Sequence, residues 1–264
     1  MITEFVRAGG RVYASGQTSL GDTVSGRLSD YALSDVFGVH KKADYEGGVL
    51  FVKPVDERVA SAVSPENYVS WGLTPTMDLT ELAPVEKLDV PIIASRPDAR
   101  VLATLTLPYG YPHAGGLREH GFASIHSSPP WDDTDSPAIV YNQFGQGAAV
   151  YSVAPIEGSP DHASRQLFAD LVTFLNGDTS RLAVVAPDNV WVTMFDQVEN
   201  SRIILSALNF DEREHGSTPR VMITAGAPVG YTFSSVIDVP AGVMVSISGD
   251  GSTLEVEDDR LELF

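Results

Sequence analysis

The chain contains no cysteine. Disulfides, thiolate metal sites and a cysteine nucleophile are therefore excluded. Positive charge is also scarce: 17 Lys and Arg stand against 35 Asp and Glu, a formal net charge of −18. Phosphate backbones are held by clustered cations, so this balance argues against nucleic acid as a partner. It argues equally against anionic membrane surfaces. The plain reading of the acidity is solubility. No apolar run is long enough to span a bilayer as a helix. The segment from Met1 to Arg7 is short and amphipathic and lacks the apolar stretch of a secretory signal. The lack of cysteine does not settle the compartment, but the last two absences read as a cytoplasmic chain, or a piece of something larger. No Gly-x-Ser-x-Gly elbow occurs, which disfavours a serine hydrolase. No solenoid-type repeat occurs either.

A length of 264 residues, 43% hydrophobic and 20% charged, suits a soluble globular chain of one or two domains. Ile2, Phe5 and Val6 recur at helical spacing, and Gly9-Gly10 ends that helix. Arg11 to Ser15 reads as a buried strand. Ser29 or Asp30 is placed to cap a helix with Leu28, Ala32, Leu33, Val36 and Phe37 inside, stopped by Gly38. Helix, strand and helix in series belong to an α/β layer. Val49 to Val52, Val101 to Leu107, Ala138 to Asn142 and Ala148 to Val153 are strand-like runs. Tyr109 to Pro137 is rich in Pro, Gly, His and Asp, a long loop of the kind that is usually functional or an interface. Ser159-Pro160 should start the best helix, with Ala163, Leu167, Leu171, Phe174 and Leu175 on one face and Gly177 closing it.

After Asp178 the apolar period changes from 3.6 to 2. Val190 to Val198 and Arg202 to Leu208 alternate about a turn at Glu199-Asn200. Further runs lie at 220–223, 231–237, 243–248 and 253–256, and Gly249-Asp250-Gly251 is a strong hairpin signal. Short strands at regular spacing predict a small β-sandwich. The domains are expected at 1–178 and 179–264.

Several stretches carry a family resemblance: VLATLTLPYGYP (101–112), FASIHSSPPW (122–131), PAIVYNQFGQGAAVYSVAPIE (137–157), SPDHASRQLFADLVTFLNG (159–177) and VWVTMFDQVENSRIILSALNF (190–210). Together they resemble the region that follows the catalytic barrel in β-galactosidase-like glycoside hydrolases, a β-galactosidase trimerisation domain with a strand-rich tail. The resemblance implies an α/β fold: a partial flavodoxin-like, class I glutamine-amidotransferase-like domain followed by a small antiparallel β-sandwich. It places the catalytic carboxylates on an upstream (β/α)8 barrel, so none is transferred to a residue of this chain. It also implies further β-α units before the first helix, which reads as a fragment, a split gene or a remnant.

Amidotransferase chemistry needs a thiolate and is excluded with cysteine. Gly145-Gln146-Gly147 lacks the third glycine of a dinucleotide fingerprint, lies between two strands and reads as a hairpin turn. His113, His120 and His126 cluster with Asp132, Asp133 and Asp135, residue types that serve metal sites and acid–base pairs. Their spacing matches no zinc pattern, and a solvated acidic loop is the simpler reading. Tyr109, Tyr111, Trp71 and Trp131, with His126, are the candidate contacts to sugar or to a protein partner, because aromatics serve both. Trp191 alternates within a strand and reads as core. Glu157 follows a strand end, where α/β folds place functional groups, though an acid favouring the helix dipole is the simpler reading.

The leading expectation is a non-catalytic accessory and oligomerisation region, without cofactor or metal, that forms a trimer or dimer and sits beside an upstream glycosidase barrel. The alternatives are an oligosaccharide-binding module built on residues 109–137 and an independent glycoside hydrolase.

Overall fold

The computed structural model describes residues 1–22, 26–45, 47, 49–61, 68–71, 88–109, 129–159, 161–177, 180–187, 189–210, 220–237, 239–240 and 242–258. The chain divides into two compact units, Met1–Gly177 and Asp178–Phe264.

The first unit opens with α1 (Ile2–Arg7) and β1 (Arg11–Ser15), joined through Gly9 at φ +110°. There follow β2 (Gly21–Asp22), β3 (Gly26–Arg27), α2 (Ser34–Phe37), β4 (Val39–Asp44), β5 (Leu50–Pro54), β6 (Val69–Trp71), β7 (Pro91–Ser95), β8 (Arg100–Pro108), β9 (Pro130–Phe144), β10 (Gly147–Ser152) and α3 (His162–Asn176). Six strands make one sheet in the order β1-β10-β9-β8-β5-β6, while β4–β7 and β2–β3 form separate ribbons. Among the described residues, β1–β10 is parallel and the other four pairings of the six-stranded sheet are antiparallel. The unit is a mixed α/β layer in which strand outweighs helix. A doubly wound sheet needs a crossover of a dozen residues or more between parallel neighbours. Such a crossover separates only β1 from β10 here; the other described pairings are antiparallel, and β9 turns directly into β10 at Gly145-Gln146, with Gly145 at φ +64°.

The core lies on β10, buried along its whole length, with Ile139, Val140, Leu102 and Leu105 beside it. Val6 of α1 is fully buried, whereas Ile2 and Phe5 stay exposed. A Cβ on Gly147 would collide with the carbonyl oxygens of Val6 and Gly10, so the glycine is what lets the α1–β1 turn lie on β10. Leu167, Leu171 and Leu175 form the buried face of α3, as the helical spacing predicts. Arg11 pins the end of that helix by donating to the Leu175 carbonyl.

Four expectations change. Asp30 caps no helix: its carboxylate accepts from the Lys41 N–H and binds His40 on β4, so α2 is a single turn that starts at Ser34. Residues 130–137 are strand, because β9 extends far into the expected loop. Asp161, not Ser159, caps α3, accepting from the Ser164 N–H at 3.0 Å. The strand β1 is an edge, with Ala14 its one buried residue.

The second unit holds β11 (Leu182–Val185), β12 (Val190–Gln197), β13 (Arg202–Asn209), β14 (Val221–Gly226), β15 (Met244–Ile247) and β16 (Thr253–Asp258). They form an antiparallel sheet, β11-β14-β16-β15, and the hairpin β12–β13. Val190 of the hairpin and Val221 and Ile223 of the sheet share one apolar cluster with Val192, Leu205 and Val256. The turn between β15 and β16 has Gly251 at φ +71°, and Asp250 accepts from the Ser248 hydroxyl, the Ser252 N–H and the Ser252 hydroxyl. Those bonds hold its carboxyl down at about 2. Two expectations fail here. Residues 231–237 form no strand, and Tyr231 and Ile237 face solvent. Trp191 is not core: Val190 and Val192 take the inward positions, and the register turns Trp191 outward, 63% exposed.

Candidate functional site

Pairing of β8 with β9 continues one step beyond the strands, where the Tyr109 N–H donates to the Pro129 carbonyl at 2.9 Å. The register slips just before this point. Leu107 faces Asp132 and Pro108 faces Pro130, which leaves Trp131 as the extra residue of a bulge. Bulges re-aim side chains, and this one holds Trp131 70% exposed. Its ring meets that of Tyr109, also exposed, at 5.0 Å and 88°.

Beside this pair, Asp133 of β9 accepts from Lys53 of β5, and from the Thr106 hydroxyl of β8 at 2.6 Å. The Lys53 ammonium also lies 5.4 Å from the Tyr68 ring centroid. The Lys53 hydrogen bond, followed by that of Thr106, holds the Asp133 carboxyl below the usual carboxylate range. The same contact raises the Lys53 ammonium. The corner therefore offers an exposed aromatic edge next to a fixed ion pair. Such an arrangement suits stacking and hydroxyl recognition, whereas a free general acid or base would need an unpaired group.

Of the five candidate contacts, the structure brings Tyr109 and Trp131 together. Trp71 lies elsewhere, on β6 opposite Leu50, half-buried against the core. Tyr111 and His126, like His113 and His120, lie outside the described residues. Asp132 and Asp135 are exposed on β9. Among the described residues no three His, Asp or Glu side chains converge as a metal site would require. Lys53 and Thr106 gave no sign in the sequence, because the Lys53–Asp133 contact spans 80 residues.

A second convergence forms at the carboxyl ends of the parallel pair. Glu157, in the turn Ile156–Gly158, accepts from the Tyr13 hydroxyl at 2.8 Å and the Ser15 hydroxyl at 2.5 Å. Burial, then Glu157 itself, raises the Tyr13 phenol. With Asp161 capping α3, the Glu157 carboxylate works as a tie to β1 and not as a helix-end acid.

Shallow cavities occur among the described residues of the first unit. One, of about 290 Å³, has Ile92, Leu105 and Leu107 among its walls; another, of about 280 Å³, includes Asp35, Arg96 and Asp98. Arg96 binds both of those carboxylates, at 2.7 and 3.4 Å, and both face solvent. A glycosidase acid needs a carboxyl kept protonated by apolar surroundings, which this pair does not have.

No protein-family model matches the sequence, and no curated protein matches it. Solved structures do. An α-L-fucosidase isoenzyme from Paenibacillus thiaminolyticus shares 16% identity at a TM-score of 0.66, over 99% of this chain and 37% of that one. A β-galactosidase from Bacillus circulans sp. alkalophilus shares 18% identity at 0.48, over 97% of this chain and 30% of that one. A β-galactosidase from G. stearothermophilus shares 14% at 0.46, over 98% and 29%. The chain thus spans about a third of the length of the glycoside hydrolases it is similar to. At such identity the likeness to the fucosidase is one of fold.

Proposed function

We propose that the chain is a non-catalytic accessory and assembly region of a glycoside-hydrolase-like protein. One observation carries this reading: the fold runs over 99% of the chain in common with a segment that makes up 37% of a fucosidase. The parallel pair β1–β10, with α3 docked against it, supports a partial flavodoxin-related, amidotransferase-like layer for the first unit. The two sheets that share one apolar cluster support a β-sandwich for the second. On this reading the chain holds subunits together as a homo-oligomer, beside a glycosidase barrel, in the cytoplasm. Among the described residues no helix is long and apolar enough to cross a membrane. The test is the native mass of the purified chain, by light scattering after size exclusion, with a glycosidase assay on the same peak. A defined oligomer without turnover is expected. A monomer that hydrolyses a chromogenic glycoside would sink the reading.

A second reading is favoured by the bulge at Trp131. An oligosaccharide would stack on the Trp131 and Tyr109 rings and place hydroxyls on Asp133 and Lys53. Titration calorimetry with galactosides and fucosides should then show binding that Trp131→Ala removes. Equal binding by wild type and variant, or none by wild type, refutes it.

A further inference from the structure

The hairpin β12–β13 has two apolar faces, and the core of the second unit uses one of them. Val190, Val192, Leu205 and Ala207 face the shared cluster. By strand alternation, the opposite face presents four cross-strand pairs: Trp191 with Leu208, Thr193 with Ser206, Phe195 with Ile204, and Gln197 with Arg202 at the turn end. Phe210 extends this face, its ring 4.8 Å from that of Trp191. Trp191, Phe195, Phe210 and Ile204 are 63%, 58%, 50% and 39% exposed. Apolar side chains scattered singly on a surface are ordinary, whereas a contiguous set built on large rings marks a contact.

We propose that this face joins two copies of the chain about a two-fold axis, an inference that rests on the assembly reading and names its surface. Charge permits a second copy as the occupant. With a net charge of −18, two chains repel each other least where they meet without carboxylates, and the eight ladder positions of this face carry none, Arg202 being their one charge. A partner selected by charge would dock on the acidic surface instead. Area agrees. At about 150–250 Å² per aromatic side chain, the exposed parts of the three rings and Ile204 come to roughly 450 Å². A standard interface takes about 800 Å² from each partner, of which about 55–65% is apolar, so the patch supplies the apolar centre of one. Shape agrees as well. The bulky Trp191–Leu208 and Phe195–Ile204 rows flank the small Thr193–Ser206 row, which leaves a saddle. Across a two-fold axis, the rings of each copy seat in the saddle of the other.

The test is Thr193→Arg in the full chain, with mass by light scattering across a wide concentration range. Thr193 is exposed, so the arginine leaves the fold intact, which an unchanged far-UV circular dichroism spectrum verifies. Wild type should show two chains or an even multiple. The variant should dissociate at least about thirty-fold more readily, because each arginine would be buried unpaired against its own copy. Trp191→Ser should weaken the contact in the same direction. Retention of wild-type mass by Thr193→Arg refutes this surface and leaves the assembly reading standing. A wild-type mass of three chains refutes the two-fold contact, and a monomeric wild type refutes both readings.

Discussion

Replacing Gly147 by alanine should unseat the first helix. The added Cβ would run into the Val6 and Gly10 carbonyl oxygens. Both obstacles are backbone, so no side-chain rotation relieves the clash, and α1 with its following turn must lift from β10. Overpacking of this kind costs about 1–3 kcal/mol. If α1 lifts, Val6, now fully buried, is exposed as well; that adds about 1.5 kcal/mol for a valine side chain. A total near 3 kcal/mol in a unit of this size lowers Tm by roughly 6–12 °C. Two neighbours calibrate the effect. At Gly10 the Cβ would meet the Phe5 ring, which is exposed and free to swing away, so Gly10→Ala should cost under about 1 kcal/mol. At Gly158 nothing lies within 4 Å of the Cβ, so Gly158→Ala should stay within about 0.5 kcal/mol of wild type. Urea titration followed by tryptophan fluorescence, with m compared between variants, ranks the three. A Gly147→Ala protein that unfolds at the wild-type midpoint would refute the close approach of α1 to β10.

Two further outcomes are expected. Asn142 is buried and donates both amide hydrogens, to the Asp35 and Val36 carbonyls, at 3.0 Å each. Asn142→Leu should lose about 2–4 kcal/mol by leaving those acceptors unsatisfied, a loss read from the same urea midpoint. Asp250 should titrate at about 2 by carboxyl carbon NMR. Its folded value lies below the unfolded one, so the support it gives the β15–β16 turn is complete above the unfolded value near 4 and fades as pH falls towards about 2. Ser248→Ala should move that titration upward, and an unmoved value would contradict the bond between the two side chains.

Local elements were legible where one signal governed them. The existence of α1, the inner face of α3 and the β12–β13 hairpin follow from apolar spacing, and the Gly-Asp-Gly turn follows from glycine's access to positive φ. Legibility failed where long-range bonds competed with local ones. Asp30 looks like a helix cap, yet its carboxylate is taken by the β4 backbone. Trp191 looks like core because both faces of its hairpin are apolar; alternation separates the faces without telling which is buried. The Trp131 corner was half visible. Its aromatics stood out, but Lys53 and Thr106 arrive from strands far away in sequence.

The sequence by itself determined the absence of thiol chemistry, the acidic surface, the two-part organisation of apolar periods and most of the elements, because these depend on residue type and near-neighbour spacing. Tertiary structure alone decided three things. The six-stranded sheet is antiparallel in all but one of its described pairings, since strand partnering is set by contacts across the whole unit. Trp131 stands out on a bulge beside an ion pair, since a bulge is a mismatch between two strands and neither strand's own residues record it. One face of the β12–β13 hairpin is packed and the other exposed, since burial belongs to whatever packs against a residue and the residue itself carries no mark of it.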